Sequence, residues 1–446
     1  MTHKKSELFH NRSSSRQFLF CKSDSKPIDD KVVDTSFVDS SRLSETFPDI
    51  LAGETFINHT MATLDSSTKF EAIVIRIDDI NYQDKTIAID QNIDLLVDVA
   101  QVVDATCKKE SGMWGQLDRD MFGCFFSGKN QTSSLELANK IKNRLAELRN
   151  ETVSIGIASY PTMRFNKDQI IDNARKALDH AAFFGPDSMV LFDSVSLNIS
   201  GDTLYQKGDI DAAIKEFKAA LLLDPSNVNV HNSLGVCYGV LGDYEKALEE
   251  FKEAIRLDPE EAMALYNAGL VNTLTGNSDK ALEYFFDADT KEENIFDVAF
   301  QIGRLYLEMG KPEQGKKFFN KAIRLNPESG FALRYLGECC AAMNLTDEAV
   351  SAYKKAIRKN PNDADSLSAL GYLFDLQGEN PEITTIFCQQ SIDIAPENGL
   401  FRYRLGNLYL KRNQLEDALE QFQKADDLGH DSKELIEKIN KLKLDD

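Results

Sequence analysis

The second half of the chain repeats one pattern of apolar and small positions. In the unit around position 235, Leu234, Gly235 and Tyr238 share one helical face. Ala247, Phe251 and Ala254 share another. Gly242 and Asp243 break the periodicity between them, and Pro259 closes the unit. The pattern predicts two helices folded into a hairpin, with small residues allowing close approach and Phe251 filling the gap. The marker glycine recurs at 201, 235, 269, 303, 337, 371 and 406, at five intervals of 34 residues and one of 35. A small unit stacked on copies of itself accounts for that regularity, and the usual work of such a stack is to offer a surface to a partner.

The front half carries a different pattern. Residues 70–77 read as a buried strand and residues 87–108 as a helix. Residues 112–117 and 121–126 read as two strands around a turn at Asp118, Arg119 and Asp120. A helix is expected over 135–148, a strand over 152–160, a helix over 168–184 closed by Gly185 and Pro186, and a last strand at 189–192. The order β-α-β-β-α-β-α-β describes an α/β sandwich. Residues 1–45, with few grouped apolar residues, read as a disordered tail. A first repeat helix over 194–206 follows the last strand without a linker, which predicts a rigid junction. The expected organisation is a tail over 1–45, an α/β domain over 46–195, seven hairpins over 196–430 and a capping helix over 431–446.

The second-helix triplet recurs at Ala213/Phe217/Ala220, Ala281/Phe285/Ala288, Gly315/Phe319/Ala322, Ala349/Tyr353/Ala356 and Ala418/Phe422/Ala425. Together with the Leu-Gly-x-x-Tyr run and the closing prolines at 225, 259, 327 and 361, this resembles the tetratricopeptide repeat family. The sixth unit departs from it. It has one extra residue, Pro381 early in its second helix, Ile383 where a small residue is expected and Ser391 for the later alanine, which predicts irregular packing there. In the third unit Glu293 replaces the proline, so a looser junction into Ile295 is expected.

Residues 153–161 (Val-Ser-Ile-Gly-Ile-Ala-Ser-Tyr-Pro) and 173–181 (Asn-Ala-Arg-Lys-Ala-Leu-Asp-His-Ala) resemble the diguanylate cyclase (GGDEF) family. The resemblance implies a nucleotide-cyclase-like fold in a degenerate form. The family's signature glycines fall on Asp118 and Arg119, where side chains would block a triphosphate. Its acidic pair falls on Asp120 and Met121. Its metal-binding aspartate falls on Arg76, which cannot ligate magnesium. The position that reads guanine falls near Asp84, and Lys109 and Gly112 occupy the ends of the family's inhibitory motif. The degenerate nucleotide site is therefore Arg76, Asp78, Asp118, Arg119 and Asp120, with no catalytic residue and no metal expected. A slipped register could assemble a metal site from Asp78, Asp79 and Asp120. Arg76 could hold a phosphate, or pair with Asp120 in a site that has lost its ligand; the pair is the preferred reading.

Composition narrows the partner. The 446 residues carry a formal charge of −21, which argues against general nucleic-acid binding. Seven cysteines without a Cys-x-x-Cys spacing argue against zinc and disulfide scaffolding, and fit a reducing compartment. No run approaches the roughly 18 apolar residues of a membrane span. A cytoplasmic protein of bacterial origin, without cofactor, is expected. Trp114 and His180 read as packing residues.

In the repeat family the first helix of each unit lines a concave groove. That resemblance places groove candidates at Asn232, Val236, Tyr266, Asn267, Arg304, Arg334, Tyr335, Tyr372, Tyr403, Arg404 and Asn407, with the less open Leu270 and Phe300. Tyrosine, arginine and asparagine suit an extended peptide. The family's carboxylate-clamp order of Lys and Asn is not found, while Arg304, Arg334 and Arg404 could form an electropositive stripe. Two functions follow: a non-catalytic interaction scaffold or adaptor in signalling or complex assembly, with the α/β domain as sensor, dimer contact or docking module; or a switch responsive to GTP or cyclic di-GMP, or a residual cyclase, recruited by the repeats.

Overall fold

A computed structural model describes residues 41–78, 88–162, 165–292 and 294–445. The described residues divide into two compact units, one ending at Pro259 and the other beginning at Glu260. The expected tail boundary at 45 moves, because Ser41–Thr46 forms a helix, α1, whose Leu43 enters the α/β core. The expectations for Asp79, Asp84, Glu293 and residues 1–40 lie outside the described residues.

The first unit opens with α1 and α2 (Gly53–Thr63), the latter unsignalled by the sequence pattern. β1 (Phe70–Ile77), α3 (Ala88–Glu110), β2 (Met113–Asp118), β3 (Met121–Ser127), α4 (Gln131–Leu148), β4 (Val153–Tyr160), α5 (Ile170–Ala181) and β5 (Met189–Leu191) follow in the expected order. The sheet order is β2-β3-β1-β4-β5. β1 lies antiparallel to both β3 and β4, and β4 parallel to β5. The pleat divides β1 between two cores. Ile73, Ile75 and Ile77 pack with Val99, Val103, Leu137 and Ile141 of α3 and α4. Phe70, Ala72 and Val74 pack with Phe56 of α2 and Ala174 and Leu178 of α5. The central strand is buried on both faces, which is why it reads as a continuous apolar run. At Gly156 on β4 a Cβ would stand 2.0 Å from the Ala174 carbonyl oxygen, so α5 rests directly on the strand backbone.

The same unit continues into two hairpins: α6 (Ser194–Gln206) with α7 (Ile210–Leu223), and α8 (Val228–Leu241) with α9 (Tyr244–Leu257). Asp193 starts α6 by accepting from the Ser196 backbone N–H at 2.8 Å. α5 packs against α6, and Lys176 of α5 donates to Glu216 of α7 at 2.8 Å. These contacts tie the first hairpin to the α/β domain, and both hairpins belong to the same compact unit as that domain.

The second unit holds five hairpins: α10 (Ala262–Leu274) with α11 (Ser278–Lys291), α12 (Phe296–Glu308) with α13 (Pro312–Leu325), α14 (Gly330–Ala342) with α15 (Thr346–Lys359), α16 (Ala364–Gln377) with α17 (Pro381–Ile394), and α18 (Gly399–Lys411) with α19 (Leu415–Asp427). α20 (Lys433–Asp445) closes the stack, with Ile439 buried against Phe422. Each marker glycine faces the second helix of its own hairpin, most often its aromatic ring; at Gly269 a Cβ would come 2.6 Å from Phe285 Cε1. In the sixth hairpin the extra residue falls in the turn, and α17 slips by one. Thr384, Cys388 and Ser391 form the buried triplet, while Ile383 is 48% exposed. The expected irregularity is therefore a clean one-residue shift, with Cys388 Sγ standing where other hairpins place a ring.

Candidate functional site

In residues 260–446 the leading helices of consecutive hairpins meet: α12 touches α14, and α16 touches α18. These four helices carry Arg304, Arg334, Tyr335, Tyr372, Tyr403, Arg404 and Asn407 of the sequence-predicted binding residues. At one end Tyr266 and Asn267 of α10 are buried, with Tyr266 tilted against Phe285 at 5.6 Å. Asn232, in the first unit, is buried likewise. These three residues pack more than they present.

Further along, aromatic rings form the wall. Phe300 of α12 meets Tyr335 of α14 edge-on at 5.4 Å, and Tyr335 stacks on Phe319 at 5.5 Å. Gln301 of α12 is 3% exposed, and its Oε1 has no hydrogen-bond partner among the described residues. Burial raises the Asp297 carboxyl above its ordinary value. Sequence reasoning missed both residues, although each occupies a leading helix.

The arginines do not form the expected stripe. Arg304 Nε lies 3.4 Å from Glu308 Oε1 on its own helix. Arg334, buried, has Asp365 at 2.9 Å, Asp363 at 3.5 Å and Glu338 at 3.8 Å, and its guanidinium lies over Phe331 and Tyr335. Asp363 and Asp365 open the next leading helix, α16, and the repeat spacing brings them to Arg334. A buried cation demands such partners. Arg404 of α18 differs: Nη1 donates to Ser368 Oγ at 2.8 Å and the guanidinium covers the Tyr372 ring at 5.2 Å. Burial pulls its pKa below the ordinary arginine value. Tyr372 is 44% exposed and so open to a ligand. Tyr403 packs edge-on with Phe422 at 5.6 Å, and Asn407 Nδ2 donates to the Tyr403 carbonyl at 3.0 Å. Lys411 of α18 pairs with Asp375 of α16 at 2.5 Å.

The strand-end residues of the α/β domain are brought together only in part. Asp78 accepts from Thr152 Oγ1 and Ser154 Oγ at 2.7 Å each and from the Asp187 backbone N–H at 2.8 Å. Asp118 accepts from the Arg119 backbone N–H at 2.7 Å, tightening the hairpin turn. Burial raises the Asp120 carboxyl, with Asp118 adding to it and Arg76 opposing. The preferred Arg76–Asp120 pair is not formed: Arg76 Nη1 lies 3.8 Å from Asp179 Oδ1 on α5. The reason is where each residue falls relative to the strands. Arg76 opposes Met121 and shares the α5 face with Phe70, Ala72 and Val74, whereas Asp120 is one residue off that register. Among the described residues no group of three His, Cys, Asp or Glu side chains could hold a metal ion. Trp114 Nε1 donates to Asp104 at 3.0 Å, and buried His180 has Ser196 Oγ at 3.3 Å, so both are packing residues.

No described helix is long and apolar enough to cross a membrane. The family described as "TPR repeat" matches residues 201–239, and families described as "Tetratricopeptide repeat" match residues 228–261, 300–364, 352–384 and 387–420. None of the curated proteins matches the chain. Among solved structures, the chain is similar to YrrB, described as a TPR protein with an unusual peptide-binding site, at 22% identity and TM-score 0.38, covering 42% of this chain and 95% of that one. It is similar to MamA at 30% identity and TM-score 0.35, covering 37% and 96%. PilF of Pseudomonas aeruginosa is similar at 22% identity and TM-score 0.42, covering 46% and 92%.

Proposed function

Because the chain carries tetratricopeptide repeats, we propose that it is a non-catalytic adaptor that binds a peptide segment of a partner protein on the leading-helix face of its repeats. One observation carries the reading: residues 260–446 present Tyr335, Tyr372, Tyr403 and Arg404 on one face, held rigid by rings and hydrogen bonds behind them. Rigid aromatics and a guanidinium fork give contact area and directional donors at low entropic cost. The α/β domain, over 46–195, is read as a degenerate cyclase-like module that serves as a docking or dimer contact rather than a catalyst. Asp78 spends its carboxylate on two hydroxyls and a backbone N–H, which suits a structural corner better than a metal site. The setting that fits is signalling or complex assembly in a bacterial cytoplasm.

The test is selection of a displayed random peptide library on the full chain, followed by titration of the selected peptides. Peptides whose affinity drops about ten-fold with Tyr372→Ala and Asn407→Ala support the reading. Peptides insensitive to both place the partner elsewhere. Heat on titration with GTP or cyclic di-GMP in magnesium would instead favour the nucleotide switch.

A further inference from the structure

The second helix of the sixth hairpin carries isoleucines where its counterparts are polar. The slip of α17 turns Ile383 outward at 48% exposure, and Ile386 stands beside it at 54%. These positions fall just before and just after the first member of the buried triplet, Thr384. At both, the second helices of the other hairpins in this unit are polar, as with Lys280 and Glu283 on α11 or Asp417 and Glu420 on α19. Ile394, about three turns further along α17, is exposed as well. Apolar side chains scattered singly over a surface are ordinary, whereas isoleucines grouped along one helix mark an interaction surface.

The charges beside this stripe say what covers it. Helical spacing sets Ile383, Phe387 and Ile394 on one line of α17. Phe387 meets the Phe374 ring at 5.8 Å, and the Lys354 ammonium lies 5.0 Å over that ring, so this line faces α15. The edge that α15 presents is basic, with Lys354 and Arg358 both exposed. The far side of α17 faces the seventh hairpin, where Arg412 Nη1 donates to Thr385 Oγ1 at 3.1 Å. Beside the first line runs a second, Glu382, Ile386, Gln389 and Asp393, with an exposed acid at each end. Asp393 accepts from Gln389 Nε2 at 2.9 Å, and among the described residues neither Asp393 nor Arg358 forms a salt bridge. The patch therefore runs from a basic edge on α15, across isoleucines, to an acidic edge on α17.

A surface with an apolar centre and opposite charges on its two edges is complementary to itself when rotated about an axis along the stripe. That rotation lays α17 parallel to its copy, sets isoleucine on isoleucine, and brings each acidic edge to the other basic edge. Arg358 and Asp393 hold the same place in successive second helices, two residues after Ala356 and Ser391, the last members of their buried triplets. They meet at one level. An axis across the stripe would set acid on acid and base on base. We propose that this face binds a second copy of the chain, as an isologous dimer with Arg358 of each copy paired to Asp393 of the other. The surface lies on the second helices and so goes beyond the adaptor reading, which uses the leading ones. A foreign partner needs no such matched edges, and an anionic membrane surface repels a chain of formal charge −21.

Sedimentation of the full chain at concentrations from about 1 to 100 μM tests it. The parent is expected to pass from monomer to dimer across that range. Ile386→Glu should weaken the dimer at least about ten-fold and leave the melting temperature of the dilute monomer unchanged, because the side chain is exposed. Arg358→Glu and Asp393→Arg should each weaken it about ten-fold, since an isologous contact counts every change twice. The double variant, which restores the parent's net charge, should recover most of the loss. Asp393→Arg is the discriminating arm. It moves the formal charge from −21 to −19, a change of two, so mere relief of net repulsion would strengthen association. The charge variants lie at exposed positions and keep the test open should Ile386→Glu misfold. A parent that stays monomeric throughout overturns the proposal. A dimer indifferent to Ile386→Glu and to both charge variants overturns it too, and places the contact elsewhere. A dimer weakened by Ile386→Glu but strengthened by Asp393→Arg overturns the pairing of Arg358 with Asp393.

Discussion

The Nη1 of Arg334 lies 2.9 Å from the Oδ2 of Asp365, across two consecutive leading helices. The buried guanidinium also has Asp363 at 3.5 Å, and Asp363 caps α16 as well, accepting from Ser366 Oγ at 2.7 Å. Asp365 is half exposed and Asp363 is buried. Removing the buried partner should therefore matter more. Asp363→Ala is expected to cost about 2–4 kcal/mol, a lost cap plus a buried cation with less compensation. Asp365→Ala should cost about 1 kcal/mol or less, because water can replace its exposed carboxylate. Urea denaturation of the two variants checks the order; equal losses would mean the cap and the pair do not share Asp363.

The glycines divide by what stands opposite them. At Gly235 a Cβ would meet the flat edge of Phe251, with Cε1 at 2.6 Å, and a ring can tilt. Gly235→Ala is expected to cost about 1–3 kcal/mol, partly recovered by Phe251→Leu. At Gly156 a Cβ would meet backbone, with the Ala174 oxygen at 2.0 Å and the Leu178 nitrogen at 2.4 Å. Gly156→Ala must push α5 off the sheet, and no side-chain change should rescue it. Thermal melts of the three variants decide it.

The sixth hairpin gives a register test. Ile383 is exposed and Thr384 is 1% exposed, with its hydroxyl on the Asn380 carbonyl at 3.0 Å. Ile383→Glu should change stability by no more than about 0.5 kcal/mol. Thr384→Glu buries a charge in the hairpin and should cost several-fold more. The opposite ranking in denaturant midpoints would restore the register with Ile383 inside.

His231 makes the first unit sensitive to pH. Its Nδ1 lies 2.7 Å from Glu250 Oε2 and its Nε2 3.1 Å from the Pro225 carbonyl, so both ring nitrogens face acceptors. The Glu250 contact raises its pKa, burial opposes, and the Pro225 carbonyl and the charge of Glu253 add to the rise. The folded pKa stands above the unfolded value of about 6.5. The stabilisation is therefore complete below that value and is lost as pH rises through the folded pKa. Amide exchange across α8 and α9 should quicken on going from about pH 6 to pH 8 beyond its intrinsic rise, and His231→Gln should remove that excess.

Much of the architecture was legible in the chain. A repeat interval of 34 residues leaves a helix hairpin little freedom, because Gly, Phe and Ala recur in one phase and each must meet its counterpart in the same hairpin. The strand and helix order of the α/β domain followed from periodicity alone. The short helix α2 escaped because little in its pattern separates it from a loop, although Phe56 proves central to the second core. The candidate site was legible as positions and not as states. Counting from the marker glycine found Arg334 and Arg404 alike.

The sequence by itself determined which residues occupy the leading-helix face, since helical periodicity and repeat phase are local. Only the tertiary structure decided what those residues do there. Arg334 is closed by Asp363 and Asp365 because the start of the next leading helix falls beside it. Arg404 meets Ser368 by a hydrogen bond and feels the charge of Asp365 without a direct ion pair among the described residues. Arg76 turns to Asp179 because the pleat points it at α5, while Asp120 lies in the turn before β3. Charge pairing is settled by distances across elements about thirty residues or more apart in the chain, and no local pattern encodes those.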